Sequence, residues 1–129
     1  MTPREAYLYA KKHGSSEETR KIACREALIA FLYAYHVDKC PRDDTRKAIC
    51  SHPNLKWSAE YAFYYARDID KGSKENTRKV ACKDLKWAYC YVLEVDKGFH
   101  EDTWAAVQNT EYEEEYNEFI NARMKEEII

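Results

Sequence analysis

The chain is poor in the residues that interrupt helices, with three glycines and three prolines in 129 residues. That scarcity argues against a fold of many strands joined by tight turns, because such turns rely on glycine and proline. The sequence also lacks an apolar run of the length that crosses a membrane, and residues 1–10 carry charges where a signal peptide would be apolar. We therefore expect a helical, cytoplasmic protein that does not enter a membrane.

Motifs that would indicate catalysis are missing as well. The sequence has no glycine-rich phosphate loop, no Gly-x-Ser-x-Gly nucleophile motif and no His-Glu-x-x-His zinc motif. Glu113, Glu114 and Glu115 are adjacent carboxylates, but neighbours in sequence point to different sides of a helix and do not form an acid–base pair. We predict that the protein is not an enzyme and uses no cofactor.

The cysteines do not follow the spacing of a metal site or of a disulfide framework. There are five, an odd number, and no two are arranged as Cys-x-x-Cys. A structural zinc site needs four convergent ligands and usually one such close pair, so we expect no metal site. Free, packed thiols are the expectation for a protein of a reducing compartment.

One short phrase returns along the chain. Threonine is followed by Arg-Lys, and a cysteine comes five residues after the threonine, at Thr19, Thr45 and Thr77, with a decayed copy at Thr103. The spacings of 26, 32 and 26 residues indicate stacked supersecondary units. We predict an all-α fold, a stack of short helical hairpins with α-solenoid-like repeats of about 26 residues, in a single compact domain of residues 1–129.

Each predicted unit pairs a short helix that carries the Thr-Arg-Lys phrase, here helix A, with a second helix rich in Tyr and Ala, here helix B. The chain begins with a half repeat in residues 1–14. Full repeats follow in residues 15–40, 41–72 and 73–98. Residues 99–129 are predicted to form a degenerate capping repeat and an acidic last helix, with Tyr112, Tyr116, Phe119 and Ile120 facing inward.

Ordinary helix punctuation marks the predicted boundaries. Ser15 and Glu18 fit a capping box that begins the first helix A. A left-handed residue is expected where each helix B ends, with Cys40 in glycine's place in the first full repeat and glycine elsewhere, at Gly14, Gly72 and Gly98.

The predicted core is the apolar face that both helices of a unit share at helical spacing. Most tyrosine rings are assigned to this core or to contacts between repeats, with their hydroxyls reaching water. The core residues are Ile22, Ala23, Cys24, Ala30, Tyr33, Ala34, Val37, Ala48, Ile49, Cys50, Ala62, Tyr65, Ala66, Ile69, Val80, Ala81, Cys82, Ala88, Tyr91, Val92 and Val95.

The basic pairs of the phrase have two readings. In the first, each arginine lies over its own repeat and pairs with the recurrent aspartate at the end of helix B, Asp38, Asp70 or Asp96. In the second, the arginines and lysines form a ridge that binds a partner. Lysine faces away from the core in both readings, whereas arginine is free to bind a partner only in the second. The candidate partner-binding cations are Lys21, Lys47, Lys79, Arg20, Arg46 and Arg78.

The acidic end of the chain is a second candidate interface. Residues 111–129 hold seven glutamates against Arg123 and Lys125, a balance of −5 in a chain of net charge −2. Glu113 and Glu114 at the start of the last helix are the candidate docking residues. The charge left for the rest of the chain is too small for its composition alone to indicate a nucleic-acid binder.

Residues 61–72, Tyr-Ala-Phe-Tyr-Tyr-Ala-Arg-Asp-Ile-Asp-Lys-Gly, are followed by a short helix and by a second Trp-Ala-Tyr-Cys-Tyr helix at residues 87–91. This pattern, over residues 6–98, resembles the short tandem helical repeats of uncharacterised bacteriophage proteins and proteins of their hosts. Ser73-Lys74 and Pro41-Arg42 replace the Trp-Pro of those repeats. The resemblance implies a phage or mobile-element origin, with action in the host cytoplasm, and no catalytic residues.

Together these features favour a non-enzymatic module that binds another protein. The resemblance extends this to a phage-encoded inhibitor of a host defence or host factor, comparable to an anti-CRISPR protein. The alternatives are a nucleic-acid-binding repeat protein that uses the Lys/Arg ridge, and an immunity protein that neutralises a toxin. Either a monomer or a homodimer is compatible with the sequence.

Overall fold

The computed structural model describes residues 1–128, and side chains through residue 126. This part of the chain is all-helical and compact, as predicted, and contains no strand. It consists of nine α-helices, three of which continue into a π-helical turn: α1 (Pro3–His13), α2 (Glu17–Ala23), α3 (Ala27–Tyr33) with π1 (Ala34–Asp38), α4 (Asp43–Cys50), α5 (Leu55–Tyr65) with π2 (Ala66–Asp70), α6 (Glu75–Ala81), α7 (Leu85–Tyr91) with π3 (Val92–Asp96), α8 (Glu101–Val107) and α9 (Glu113–Ile128).

The first two helices begin at side-chain caps. Thr2 and Glu5 form a reciprocal capping box at α1, with two hydrogen bonds of 3.1 Å. The box predicted for Ser15 is wrong, because Ser16 caps α2 by accepting the Thr19 N–H at 3.1 Å. Ser15 instead uses its hydroxyl to contact Arg20 at 3.0 Å.

The ends of the B helices differ from the prediction. The B helices α3, α5 and α7 each leave their π turn through a lysine in the left-handed region, with φ of 55° at Lys39 and 54° at Lys71 and Lys97. The lysine N–H reaches back to the carbonyl five residues earlier, which is the closure of a π turn. Gly72 and Cys40 were expected to be left-handed and are not, because the turn already reverses at the lysine before them.

The same correction applies to Gly98, whereas Gly14 does have a positive φ, of 102°. No left-handed lysine precedes Gly14, because α1 ends without a π turn. Gly72 has no atom within 4 Å of the place where a Cβ would stand. Neither packing nor φ therefore requires glycine at position 72.

Helices pack in a regular order along the chain. Each B helix contacts the A helix that follows it, so that α1 lies on α2, α3 on α4, α5 on α6 and α7 on α8. The B helices also contact one another in sequence, as α1 with α3, α3 with α5 and α5 with α7. Alanines with no exposed surface, among them Ala30, Ala62 and Ala88, allow this close approach.

Most of the predicted core is buried. Ile49, Tyr65 and Ala81, for example, are fully inaccessible to solvent. Seven members of the predicted set are half-buried, several of them at the margins of the apolar clusters: Ile22, Cys24, Val37, Ala48, Cys50, Cys82 and Val95. The position five residues after each threonine is therefore less buried than the sequence pattern indicated.

The last helix closes one end of the apolar interior. Tyr116 and Ile120 of α9 are buried against Val92 and Val107, and two further α9-region side chains, Tyr112 and Phe119, pack half-buried on the same cluster. The inward face predicted for this helix is confirmed. None of the helices within residues 1–128 has the length and apolar character needed to cross a bilayer.

Candidate functional site

The arginines of the repeated phrase are bound within the protein. Arg46 Nη2 lies 2.5 Å from Asp70 Oδ1, and its Nε lies 3.0 Å from Asp70 Oδ2. The same pair forms between Arg20 and Asp38, and between Arg78 and Asp96, at 3.0 and 2.9 Å. The first of the two sequence readings is thus confirmed for the arginines, and their guanidinium groups already have carboxylate partners.

Each pair belongs to a group of four residues, here called a tetrad, and there are three tetrads. In the central one, Thr45 Oγ1 and Tyr65 Oη are 2.8 Å apart, and the Arg46 guanidinium stands 5.5 Å from the centre of the Tyr65 ring. Tyr65 Oη also accepts the Arg42 N–H at 3.0 Å and donates to the Arg42 carbonyl at 3.0 Å. The tetrads are Thr19, Arg20, Tyr33 and Asp38; Thr45, Arg46, Tyr65 and Asp70; and Thr77, Arg78, Tyr91 and Asp96.

The tetrad corrects the expectation that tyrosine hydroxyls reach water. Tyr33, Tyr65 and Tyr91 are fully buried. Their hydroxyls are satisfied by a threonine and by the backbone at the start of helix A, where N–H groups need partners. The ring therefore fastens the end of helix B to the beginning of helix A.

The π turn accounts for the position of the aspartate. Tyr65 and Asp70 are five residues apart, and in an α-helix that spacing would turn their side chains about 140° away from each other. A turn that closes over five residues instead brings them to the same side. Asp70 can then reach Arg46, which lies beside the Tyr65 ring.

Electrostatics around these groups favour the ionised pair and the protonated thiol. The hydrogen bonds that Arg46 donates to Asp70 raise the pKa of Arg46, and burial opposes them with a smaller effect. Burial raises the pKa of Cys24 and Cys50 to about 11 and that of Cys82 to about 12. These three thiols remain protonated at neutral pH and are poor nucleophiles or metal ligands.

The lysines of the phrase, here called the A-edge lysines, lie on the exposed side of α2, α4 and α6. They are Lys21, Lys47 and Lys79. Lys79 is joined to Glu75 of its own helix at 2.8 Å, and within the described side chains neither Lys21 nor Lys47 has an acidic partner. All three lysines are exposed, as predicted, and Lys79 is held by the ion pair with Glu75.

The acidic candidates lie apart from this edge in the helix order. Glu113 is half-buried at the first position of α9, and Glu114 beside it is exposed. α9 packs against α8 and against Val92 of π3, elements that carry none of the A-edge lysines. Contacts between helices thus do not join the two predicted interfaces into one site.

A third surface was missed by the sequence reasoning. Tyr64 is at its centre, with ring centres 5.7 Å from Tyr61, 6.1 Å from Phe31 and 5.5 Å from Trp87. Exposed rings extend the cluster on both sides, with 47% of Tyr35 and 48% of Trp57 accessible. We call this set the aromatic surface: Phe31, Tyr35, Trp57, Tyr61, Tyr64 and Trp87.

A sequence signal for the aromatic surface exists. Phe31 and Tyr35 are four residues apart, as are Trp57 and Tyr61, and Tyr64 follows three residues later. That spacing makes a second stripe on the B helices, beside the stripe that holds the tetrad tyrosines. Assigning most tyrosine rings to the core or to contacts between repeats concealed it.

The π turns line two clefts beside the aromatic surface. One cleft, of about 490 Å³, lies between π1 and π2 and is lined by Tyr35, Lys39, Arg67 and Lys71 among others. The second, of about 270 Å³, lies between π2 and π3. Arg67 connects the clefts to the aromatic surface, because its guanidinium stands 5.3 Å from the centre of the Tyr64 ring.

The arrangement offers exposed cationic, acidic and aromatic surfaces. Within the described side chains, no three His, Cys, Asp or Glu residues converge as a metal site would require. Comparison with known proteins adds no assignment, since no protein-family model, no curated protein and no solved structure matches the chain.

Proposed function

We propose that this chain is a non-enzymatic protein-binding module built as a stack of helical repeats, and that the aromatic surface is its interface. One observation carries the proposal. Six aromatic rings from three B helices form a continuous cluster in which Tyr35 and Trp57 leave about half of their surface exposed. Tyrosine and tryptophan in such positions supply most of the binding energy at many protein interfaces.

The stacked-repeat part of the proposal is supported by recurrence. The same tetrad contacts occur at three places along the chain, and successive B helices contact one another in order. At the end of the series Tyr116 is buried and its hydroxyl lies 3.5 Å from the His100 carbonyl, the counterpart of the Tyr65–Arg42 contact. Repeats that bury surface only against their neighbours present extended faces, which suits them to binding.

The proposed partner is a protein, and the role of the complex stays a prediction from the sequence. An inhibitor of a host defence or host factor is the expectation that the phage resemblance supplies. Neutralisation of a toxin is the alternative. Both roles need a stable protein–protein interface and neither needs a reaction centre in this chain.

The test is capture from a lysate of the source cells, with the intact chain as bait, followed by binding of the purified partner. We expect Trp57→Ser combined with Tyr35→Ser to weaken that binding by about a hundredfold, since two exposed aromatic anchors are removed. Trp104→Ser is the matched control, because Trp104 is 40% exposed on α8 and belongs to no aromatic pair among the described residues. We expect it to bind within about twofold of the unchanged chain.

The A-edge lysines provide the contrast within the same experiment. If charge reversal of Lys21, Lys47 and Lys79 abolishes binding while the aromatic variant binds normally, the aromatic surface is not the interface. A chain that captures no protein in stoichiometric amount would argue against the binding function itself.

Nucleic-acid binding is the second candidate, because exposed aromatic rings flanked by cations also stack bases. Lys86 lies 4.9 Å from the centre of the Trp87 ring, which places one cation directly on the aromatic surface. This function predicts a gel shift with a single-stranded oligonucleotide and a steep loss of affinity as salt rises. We expect neither.

A further inference from the structure

We propose that the edge formed by the three π turns binds an acidic, extended segment of a protein, whose carboxylates pair with Lys39, Lys71 and Lys97. These are the π-turn lysines, and they are distinct from the A-edge lysines. We rely on the proposed function only for the class of the ligand, which is a protein.

The backbone at these positions disfavours lysine. All three π-turn lysines have φ of 54° or 55°, a region in which a side chain clashes with its own backbone and glycine does not. Glycine stands at the next position after Lys71 and Lys97, where φ is not positive. Two of the turns thus contain a glycine, but not at the left-handed position. Lysine occupies that position in all three turns. Strained positions of this kind concentrate at binding sites.

The π-turn lysines line the two clefts, where a ligand could contact them. Lys39 and Lys71 both line the larger cleft, and Lys71 and Lys97 both line the smaller one. Each π-turn lysine therefore borders at least one cleft. A ligand that lies along the edge would meet the three ammonium groups in turn.

The charge of the edge selects an acidic ligand. The acidic side chains in the clefts, Asp68 and Glu94, both pair with Arg67, at 2.8 and 3.8 Å. The π-turn lysines have no acidic partner within the described side chains, and all three are exposed. The edge thus keeps a positive charge that its own carboxylates do not neutralise, which attracts a segment with several negative charges.

Helix packing sets the spacing of those charges. Neighbouring helices pack about 8–10 Å apart, and the π turns continue three B helices that contact one another in order. Three residues of extended chain span about 10 Å. An acidic residue at every third position would therefore meet one π-turn lysine after another.

The probe is a fluorescein-labelled peptide, Glu-Ser-Gly-Glu-Ser-Gly-Glu, and its binding to the intact chain is followed by fluorescence anisotropy at low ionic strength. The test variant combines Lys39→Gly, Lys71→Gly and Lys97→Gly, which removes three charges and supplies the residue that the backbone favours. We expect its Kd for the peptide to rise about tenfold or more. Its Tm should rise at the same time, so that loss of binding cannot come from unfolding.

Two controls separate this edge from general charge attraction. Lys21→Gln, Lys47→Gln and Lys79→Gln remove the same charge from the A edge, and we expect their combination to leave Kd within about twofold. Gly72→Ala changes the same turn without changing charge and should bind the peptide normally, because its Cβ would meet no atom within 4 Å.

Three results would overturn the inference. The first is unchanged peptide binding by the triple glycine variant. The second is an equal loss in the A-edge variant, which would mean that net charge alone governs binding. The third is tighter binding of an oligothymidylate than of the peptide through the same lysines. None of them bears on the aromatic variants, so the proposed function can stand when this inference fails.

Discussion

Two aspartates that follow the same B helix show how burial changes the value of an ion pair. The side chain of Asp70 is fully inaccessible and pairs with Arg46, whose side chain is 9% exposed. Asp68 is 30% exposed and pairs with Arg67 at the surface. A buried charge that loses its partner keeps the full cost of desolvation, whereas water replaces the partner of an exposed one.

The substitution Asp70→Asn should therefore lower the free energy of unfolding by about 3 kcal/mol, near the low end for a broken buried pair. The low end applies because Asp43 still lies 2.7 Å from Arg46 in that variant. The control Asp68→Asn should cost less than about 1 kcal/mol. Urea denaturation of both variants at pH 7 measures the difference, and equal costs would show that the Arg46–Asp70 pair does not hold the tetrad together.

At the scale of the element, the π turn and the tetrad depend on each other. The five-residue closure brings Asp70 to the side of Tyr65, and the Arg46 contact then gives the turn a partner that an α-helical end would lack. The hydroxyl of Tyr65 joins the end of α5 to the start of α4. A helix of eight residues such as α4 is marginal by itself, so contacts of this kind decide whether it forms.

A double-mutant cycle on Thr45→Val and Tyr65→Phe tests this link. Thr45→Val leaves Tyr65 Oη bonded to the Arg42 backbone, and Tyr65→Phe leaves Thr45 Oγ1 bonded to the Arg42 carbonyl. Each single change therefore removes only part of the network and should cost about 1 kcal/mol. The coupling between the two should be about 1 kcal/mol, because the 2.8 Å contact joins them directly. Tyr35→Phe removes a hydroxyl from an exposed ring and should stay within about 0.5 kcal/mol of the unchanged chain. Additive single costs would mean that the hydroxyls act separately.

The elements also show which features the sequence could predict. Repeated spacing was sufficient to predict a helical fold. The recurrence of Arg and Asp indicated their pairing as one of two readings, and the structure decided between them. The π turns were not predictable, because residues 34–38, 66–70 and 92–96 share little besides a β-branched residue before the final Asp. A π turn closes its hydrogen bond over five residues instead of four, which changes the sequence pattern little. The left-handed position nevertheless moves from the expected glycine to lysine.

The aromatic stripe can be seen in the sequence, but its position at the surface could not be predicted, for a related reason. Tyr64 and Tyr65 are neighbours of the same residue type, yet one belongs to the surface cluster and the other to a buried tetrad. Which of the two faces inward depends on where the A helix packs, and Tyr65 is bonded to Thr45 of the preceding A helix, α4. That contact joins residues far apart in the chain, so local pattern alone does not fix it.

At the scale of the whole molecule, ionisation of buried acids links stability to alkaline pH. Burial raises the pKa of the thiols of Cys24, Cys50 and Cys82, and burial also raises the pKa of Tyr65 and Tyr91. In the unfolded chain a cysteine loses its proton near pH 8.5 and a tyrosine near pH 10, both about the ordinary values. Above those values the unfolded chain holds fewer protons than the folded one, so the free energy of unfolding falls as pH rises.

The thiols set the first part of that fall. Stability should be complete below about pH 8.5 and decline as pH approaches the folded pKa values, about 11 for Cys24 and Cys50 and about 12 for Cys82. A variant with Cys24→Ala, Cys50→Ala and Cys82→Ala should lose less Tm between pH 8.5 and 10 than the unchanged chain, although its Tm at pH 7 is lower because packing is lost. Cys40 is exposed, so Cys40→Ala should follow the unchanged chain throughout. Scanning calorimetry at half-unit pH steps gives the slopes, and parallel curves for the triple variant and the unchanged chain would show that these thiols titrate alike in the folded and unfolded states.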